Sequence, residues 1–493
     1  MVSPESRALP LSQVTDLSVR RRRGLELFCL SFLALFLELM MIRWAPAVVR
    51  LIAYYANLVL ISSFLGLGVG AILGKKRKSL FGWLPALLLI NVVWLLIAHF
   101  ITLPTTASES RFYTPSPQLA RYVSLVGIFF CNAIVFVPLG QRIGSIFEAL
   151  PPLLAYSWDL GGSLVGTLCF GFFSLQYFSP TLGMGLVALA IISLLPRGQW
   201  LRSIPILILS LAGVYFSVSL NAFWSPYYYI VVQGDNHGNA PVRAPRPGLR
   251  TMQDPPIYNV RVNHYFLQSD GTFDPSRYSP PKRSEILNGR AQYDLPYALA
   301  PMHRRVLALG AGGGTDTEIA VLNGAEQVDA VEIDPMLVKL SDRFNASAIY
   351  ENPKVHVHVD DARAFLRRSN GGYDLVVFSF LDSQTLFSSM TNIRLDGYIY
   401  TVQSIQSAYR LLNDNGLLSL SFMAGHEWLA RKLVRMVEEA TGQVPVVYEN
   451  GGQVVICAFH GQHANPPSQY GRFVRTVFPA GDDLSDAVAP TDD

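Results

Sequence analysis

Charge is scarce in this chain. Asp, Glu, Lys and Arg make up 15% of its 493 residues, hydrophobic residues make up 50%, and mean hydropathy is +0.29. That balance excludes an ordinary soluble enzyme. Cysteine is nearly absent: Cys29, Cys131 and Cys169 lie in apolar runs and Cys457 stands alone, so no disulfide framework or metal-ligand spacing exists. The net charge is only +3, with basic residues beside apolar runs rather than along a polar face, which argues against nucleic acid as a partner. His356, His358 and Asp360 share one face of a strand by period two. No further His or Cys stands nearby, so an exposed polar face is expected there and no metal.

What the chain has in excess is long apolar runs, all in its N-terminal half. They occur at about 24–42, 52–73, 80–103, 120–140, 153–177, 180–196 and 203–221, most near the ~20 residues that a spanning helix needs. Seven membrane segments are predicted. The first run is not expected to be a cleaved leader, because it contains Glu26 and Glu38, lacks a small-residue cleavage site and is followed by further spans. Arg20 to Arg23, Lys75 to Lys78, Arg142, Arg197 and Arg202 fall on one side if every run crosses, which places the N-terminus in the cytoplasm. Seven crossings would then leave the C-terminal half outside. The weakest crossing is 180–196, which is short and begins Ser179-Pro180.

Polar groups inside these runs are costly and are usually paired. Glu38 and Arg43 are five residues apart, off the spacing of one helix face, so they and Asp159 are expected to find partners on other helices. Gly66, Gly68 and Gly70, and then Gly161, Gly162 and Gly166, offer small-residue faces for close packing.

Beyond the aromatic cluster WSPYYY at 224–229, the pattern changes. A Pro/Gly-rich stretch leads into YNVRVNHYFLQ, a predicted hairpin strand ending at Gln268. The run Val306–Pro335 then reads strand, glycine turn, helix and second strand, with Glu332 at the end of the second strand. Gly310, Gly312 and Gly314 allow a tight turn and a close backbone approach to a ligand. Glu332, 20 residues beyond Gly312, can accept from both ribose hydroxyls. The spacing is GxGxG, with Thr315 where a dinucleotide fingerprint has its third glycine, which favours an adenosyl cofactor without a pyrophosphate.

Strands are predicted at 306–310, 328–333, 355–359, 373–379 and 416–422 with helices between, hence a parallel sheet with right-handed crossovers. Asn450-Gly451-Gly452 joins two further strands as a hairpin. That combination suits a class I methyltransferase-like fold. Its strand ends should carry the working residues. Asp361 is read as an adenine ligand and Asp360 as a helix cap, while the fourth strand ends at Ser379 and leads to Asp382. Tyr293, Tyr398 and Tyr400 are candidates to wall a pocket, with plain core as their alternative.

The segments WSPYYYIVV, YDLPY, GAGGGTDTEIA, VEIDP, VDDARAFL and YDLVVFSFLDSQTLFSSMTNIRLDGYIYT resemble the spermidine synthase-like proteins fused to a multi-pass membrane region, over roughly residues 224–425; FLELMMIRW and NLVLISSFLGLGVG are also similar to that group. In the soluble aminopropyltransferases the turn reads GGGDGG and the fourth strand runs into Asp-x-x-Asp. Here Gly313 stands for the turn's aspartate and Ser379 for the first strand-end aspartate, while Asp382 matches the second and Glu332 and Asp361 match the ribose and adenine ligands.

The resulting expectation is a multi-pass α-helical membrane domain (1–223), a β-hairpin and linker region (224–300), an α/β class I S-adenosylmethionine methyltransferase-like, Rossmann-like transferase domain (301–462) and a flexible acidic tail (463–493). Catalytic candidates are Asp382, Ser379 and Tyr293, with Asp294 or Asp396 as a substitute carboxylate. Cofactor candidates are Gly310, Gly312, Gly314, Asp316, Glu332, Asp334, Asp361, Ala362 and Gln268. The expected cofactor is S-adenosylmethionine or its decarboxylated form, and the expected partners are a lipid bilayer and a small amine or lipid-like acceptor, with a homo-oligomer allowed. The expected location is the cytoplasmic membrane, with the transferase domain inside. Aminopropyl transfer is the leading reading. Methyl transfer to a lipid and a non-catalytic transporter or scaffold that senses adenosyl metabolites are its alternatives.

Overall fold

A run of Leu, Ile, Val and Phe among other apolar surfaces can satisfy its backbone N–H and C=O groups only within itself, so each apolar run becomes a helix. The computed structural model describes residues 11–49, 52, 55, 57–75, 78–101, 119–219, 221–234, 241–263, 265–380, 399–424, 427–461 and 465–478. It divides into two units, Met1–Leu220 with Trp224–Tyr228, and Asn221–Phe223 with Tyr229–Asp493.

In the first unit the helices are α1 (Leu11–Val48), α2 (Asn57–Ile72), α3 (Leu84–Ile101), α4 (Leu119–Phe147), α5 (Pro152–Leu175), α6 (Pro180–Leu194) and α7 (Trp200–Ser217). Among the described residues, six helices are long and apolar enough to cross a membrane. The helix α6 is the exception. Its 15 residues rise only about 22 Å, short of a hydrocarbon core of about 30 Å.

Glycines set the closest helix contacts here. A Cβ on Gly66 or Gly70 would run into the α4 carbonyls of Ala133 or Val137, and one on Gly162 into the α1 carbonyl of Phe28. Gly68, predicted to share such a face, meets nothing. Polar side chains bridge the helices, as small-residue interfaces permit. Asn132 donates to Ser62 and Ser63 at 2.8 and 3.0 Å, Ser31 donates to Asp159 at 2.5 Å, and Arg142 donates to Glu26 at 2.7 Å. Arg43 donates to Ser174 at 3.0 Å and to the Phe178 carbonyl at 3.1 Å. The expected partner of Glu38 does not materialise: among the described residues, neither carboxyl oxygen of this buried side chain has a hydrogen bond.

The second unit begins with a four-stranded sheet in the order β1 (Ala222–Trp224), β2 (Tyr229–Gln233), β3 (Tyr258–Val262) and β4 (Tyr265–Asp270). Strand β4 runs two residues past the predicted end at Gln268. Next comes α8 (Pro280–Leu299), a 20-residue helix inside the segment expected to be hairpin and linker. Pro280 and Pro281 open it at the positions where a missing N–H costs nothing.

The main sheet is built from β5 (Arg305–Leu309), α9 (Thr315–Leu322), β6 (Gln327–Glu332), α10 (Pro335–Phe344), β7 (Val355–Val359), α11 (Ala362–Arg368), β8 (Tyr373–Phe378), α12 (Val402–Tyr409), β9 (Leu412–Met423), α13 (Glu427–Thr441), β10 (Val446–Asn450), β11 (Gln453–Phe459), β12 (Gln469–Tyr470) and β13 (Phe473–Thr476). Its strand order is β12-β13-β10-β11-β9-β8-β5-β6-β7. The block β9-β8-β5-β6-β7 is parallel, and β11 onward is antiparallel. Strands β10 and β11 meet across Gly451-Gly452, whose φ angles of +56° and +87° give the predicted two-residue hairpin. The tail predicted to be flexible from 463 is instead partly sheet. Strand β13 pairs with β10, and Phe473 is fully buried in the core.

From β5 the chain builds outward through β6 and β7, then returns to β8 on the other side of β5. Such a reversal opens a crevice at the strands' carboxyl ends, where ligands bind in open α/β sheets. The glycine turn lies there.

Candidate functional site

Strand β5 ends at Leu309, and the chain turns through Gly310, Gly312 and Gly314 with φ of +71°, +50° and +87°, conformations that side chains with a Cβ resist. The turn is tied on all sides. Gly310 and Ala311 N–H donate to the Val331 carbonyl, Tyr350 Oη donates to the Gly312 carbonyl at 2.7 Å, and Ser341 Oγ and Asn345 Nδ2 donate to the Gly313 carbonyl at 2.7 and 3.0 Å. Glu332 closes it from β6: Gly312 N–H donates to Oε2 and Asp334 N–H to Oε1, each at 2.8 Å. A buried carboxylate held by two backbone donors keeps a fixed orientation and has lone pairs left for ribose hydroxyls.

Two other predicted acids are helix caps. Asp334 accepts from Met336 N–H at 2.8 Å and caps α10, and Asp361 accepts from Ala364 N–H at 2.8 Å and caps α11. The cap expected of Asp360 therefore belongs to Asp361, and Asp360 is ion-paired with Arg368. Ala362 is the first residue of α11. On β7, His358 accompanies Asp329 at 2.9 Å, and the described residues contain no cluster that would hold a metal.

Of the catalytic candidates, Ser379 is buried just beyond β8 and faces Asp316 of α9. Tyr293 lies on α8 with its ring between Phe273 and Phe380, at centroid distances of 6.0 and 5.8 Å. Tyr400 is core, packed on Phe422 rather than walling a pocket. Asp294 is engaged by Arg290 and Asn323, so it is no spare carboxylate. Asp382, Asp396 and Tyr398 lie outside the described residues.

Sequence reasoning named Gln268 of β4 as a cofactor candidate but missed Asp270 two residues further on. Gln268 and Asp270 lie directly on the turn: a Cβ on Gly312 would meet Gln268 Oε1, and one on Gly313 would meet Asp270 Oδ1. Glu318 of α9 fixes this approach, accepting from Thr272 Oγ1 and from Phe273 N–H at 2.8 Å. The available signal was Asp270-Gly271 at the end of an alternating strand, which announces a turn but not its distant neighbour.

Around the turn the electrostatics are lopsided. Burial pushes Asp270, Glu332 and Glu318 up to about 7 and Asp316 up to about 6. Hydrogen bonds offset part of this: Gln268 for Asp270, the Asp334 and Gly312 N–H groups for Glu332 and Thr272 for Glu318, while for Asp316 the nearby Ser379 hydroxyl lowers the value without a formed hydrogen bond. Arg290 also lowers Glu318, whereas no described cation lowers the other three. Folded values above the unfolded ones mean that these groups favour the fold most below pH about 4 and lose that contribution as pH rises through 6 to 7. The melting temperature of the protein is accordingly expected to fall between pH 5 and pH 8, and to fall less with a bound cationic nucleoside. Scanning calorimetry at both pH values checks this; a melting temperature that rises over the interval would contradict it.

Residues 291–456, roughly a third of the chain, match the family model described as spermine/spermidine synthase domain. Spermidine synthase 2 of Hyoscyamus niger is 38% identical over 92 residues, 18% of this chain and 30% of that protein. Polyamine aminopropyltransferase of Alkaliphilus oremlandii is 28% identical over 127 residues, 25% of this chain and 42% of that protein. The chain thus matches 30% to 42% of the length of these relatives. A crystal structure of spermidine synthase in complex with the transition state analogue AdoDATO superposes over 49% of this chain and 73% of that one, with 14% identity and a TM-score of 0.34. The C-terminal part carries a spermidine synthase-type domain, preceded by a region of apolar helices.

Proposed function

We propose that this protein is a membrane-anchored aminopropyltransferase that uses decarboxylated S-adenosylmethionine and a small amine. The match of 291–456 to the spermine/spermidine synthase domain carries the reading. The turn supports it chemically, because three buried acids without a described cationic partner suit a ligand that brings positive charge.

In this reaction the amine nitrogen forms a bond to the carbon of the aminopropyl chain attached to sulfur. The carbon–sulfur bond breaks, 5′-methylthioadenosine leaves as a neutral thioether, and the amine gives up one proton. Glu332 holds the ribose and Gly310 to Gly314 let the nucleoside lie against the backbone. Asp316 of α9, which the Ser379 hydroxyl beyond β8 faces, is a buried carboxylate placed to accept the amine proton.

Anchoring is proposed through the six long apolar helices among the described residues; if these six alone cross, the chain returns to the side of its N-terminus. Adenosyl compounds are made in the cytoplasm, so the transferase unit is placed there. The test is to supply cells and inverted vesicles with each nucleoside and an amine mixture, then identify the products by mass spectrometry. Aminopropylated amine and methylthioadenosine, formed in inverted vesicles and not at the surface of intact cells, are expected. S-adenosylhomocysteine and a methylated product would overturn aminopropyl transfer, and turnover at the outer surface would overturn the orientation.

A further inference from the structure

We propose that Asp270, reaching over the glycine turn from β4, receives the primary ammonium of the nucleoside's sulfonium-linked chain and makes the site prefer a chain without a carboxylate. The inference rests on the transferase reading and names the residue that sets its cofactor specificity.

Three observations carry it. The first is position. Asp270 Oδ1 occupies the space that a Cβ on Gly313 would need, so the carboxyl group lies on the turn that a bound nucleoside's tail must cross. The absence of a side chain at Gly313 makes room for a carboxylate delivered from 43 residues earlier in the chain. The second is an unfilled valence. Asp270 is fully buried, Gln268 Nε2 donates to its Oδ1 at 2.6 Å, and among the described residues Oδ2 accepts no hydrogen bond. Leaving a buried carboxyl oxygen unpaired is costly, and an ammonium donor is the partner that removes most of that cost. The third is the sign of the surroundings. Asp270, Asp316 and Glu332 all act on the Tyr350 hydroxyl, which itself touches the turn, so the acids share one neighbourhood. None of the three has a described cation beside it. An amino-acid tail would bring its own carboxylate into that field without a described counter-charge, whereas an aminopropyl tail brings only the cation.

The local framework fits a positioning task. Glu318 pins Thr272 and Phe273, two and three residues beyond Asp270, to the first turn of α9, so the end of β4 is held at a fixed height over the turn. Gln268, two residues back on the same strand face, orients Oδ1 and leaves Oδ2 for the ligand.

The test titrates the purified full-length protein with three nucleosides: decarboxylated S-adenosylmethionine, S-adenosylmethionine, and 5′-methylthioadenosine, which keeps the adenosine and the sulfur but has no ammonium. Asp270→Asn preserves shape and removes the charge. Its affinity for the decarboxylated compound is expected to drop about tenfold or more, its affinity for methylthioadenosine to stay within about twofold, and the parent's preference for the decarboxylated compound over S-adenosylmethionine to narrow. Unchanged affinities would overturn the assignment. So would equal losses for the decarboxylated compound and methylthioadenosine, which would make Asp270 a support for the turn. If Asp270→Asn does not fold, Gly313→Ala, which displaces the Asp270 carboxylate, is expected to show the same selective loss. A parent protein that binds none of the three would overturn the transferase reading itself, and this assignment with it.

Discussion

Replacing Glu332 with alanine is expected to cost the protein both its nucleoside site and a measurable part of its stability. The side chain accepts from Gly312 and Asp334 N–H at 2.8 Å each, and all three groups are out of solvent. Alanine leaves two buried donors without an acceptor, and each such loss costs about 1–3 kcal/mol. A total on the order of 3 kcal/mol would lower the melting temperature by roughly 6–12 °C for a unit of this size. The Gly312 N–H also sets the turn's shape, so ribose loses its acceptor while the backbone loses the geometry that lets a nucleoside approach. Affinity for methylthioadenosine should fall at least about tenfold, the equivalent of about 1.4 kcal/mol. Differential scanning calorimetry and titration calorimetry on the same variant check both. A Glu332→Ala protein that melts and binds like the parent would remove this residue from the site.

The second large effect is expected at Ser379. On sequence grounds, Ser379→Asp restores a strand-end carboxylate and should raise activity with putrescine. The structure adds that Ser379 is buried and faces Asp316, which burial already pushes up to about 6. A second carboxyl there makes a like-charge pair that cannot fully ionise, so the pair keeps a proton to a higher pH than either acid alone. Raised folded values remove stability as pH rises through them, so the variant should be near the parent at pH 5 and weaker at pH 8 by on the order of 3 kcal/mol. Putrescine, as a dication, should recover part of that loss. Melting curves at the two pH values, with and without putrescine, decide the matter. Equal melting temperatures of variant and parent at pH 8 would show that the two side chains do not meet.

The legible parts of this chain were those fixed by short-range rules. Gly310, Gly312 and Gly314 announce their turn because their φ angles, +71°, +50° and +87°, suit little else. Glu332 was readable because a carboxylate at the end of a second strand has one direction in which to point. The hairpin at Gly451-Gly452 was equally local. What escaped depends on contacts between distant segments or on composition that misleads. Asp270 lies on Gly313 only because β4 packs on the glycine turn 43 residues later within the same unit, and no periodicity encodes that. The helix α8 was read as linker because its two leading prolines and polar surface hide the buried side of Ile286, Leu295 and Tyr297. Strands β12 and β13 rest on the burial of Phe473 in an otherwise polar tail, too little apolar residue for a pattern. The cap fell to Asp361 rather than Asp360 because either can cap a helix, and the choice turns on a single N–H from Ala364.

The crevice at the ends of β5 and β6 is proposed as the site for an adenosyl nucleoside. An experimental structure of the full-length protein with 5′-methylthioadenosine tests it most directly. Both ribose hydroxyls are expected on the Glu332 carboxylate, and the sulfur over Gly312 and Gly313, beside Asp270. Density for the nucleoside elsewhere, or a ribose turned away from Glu332, would contradict it.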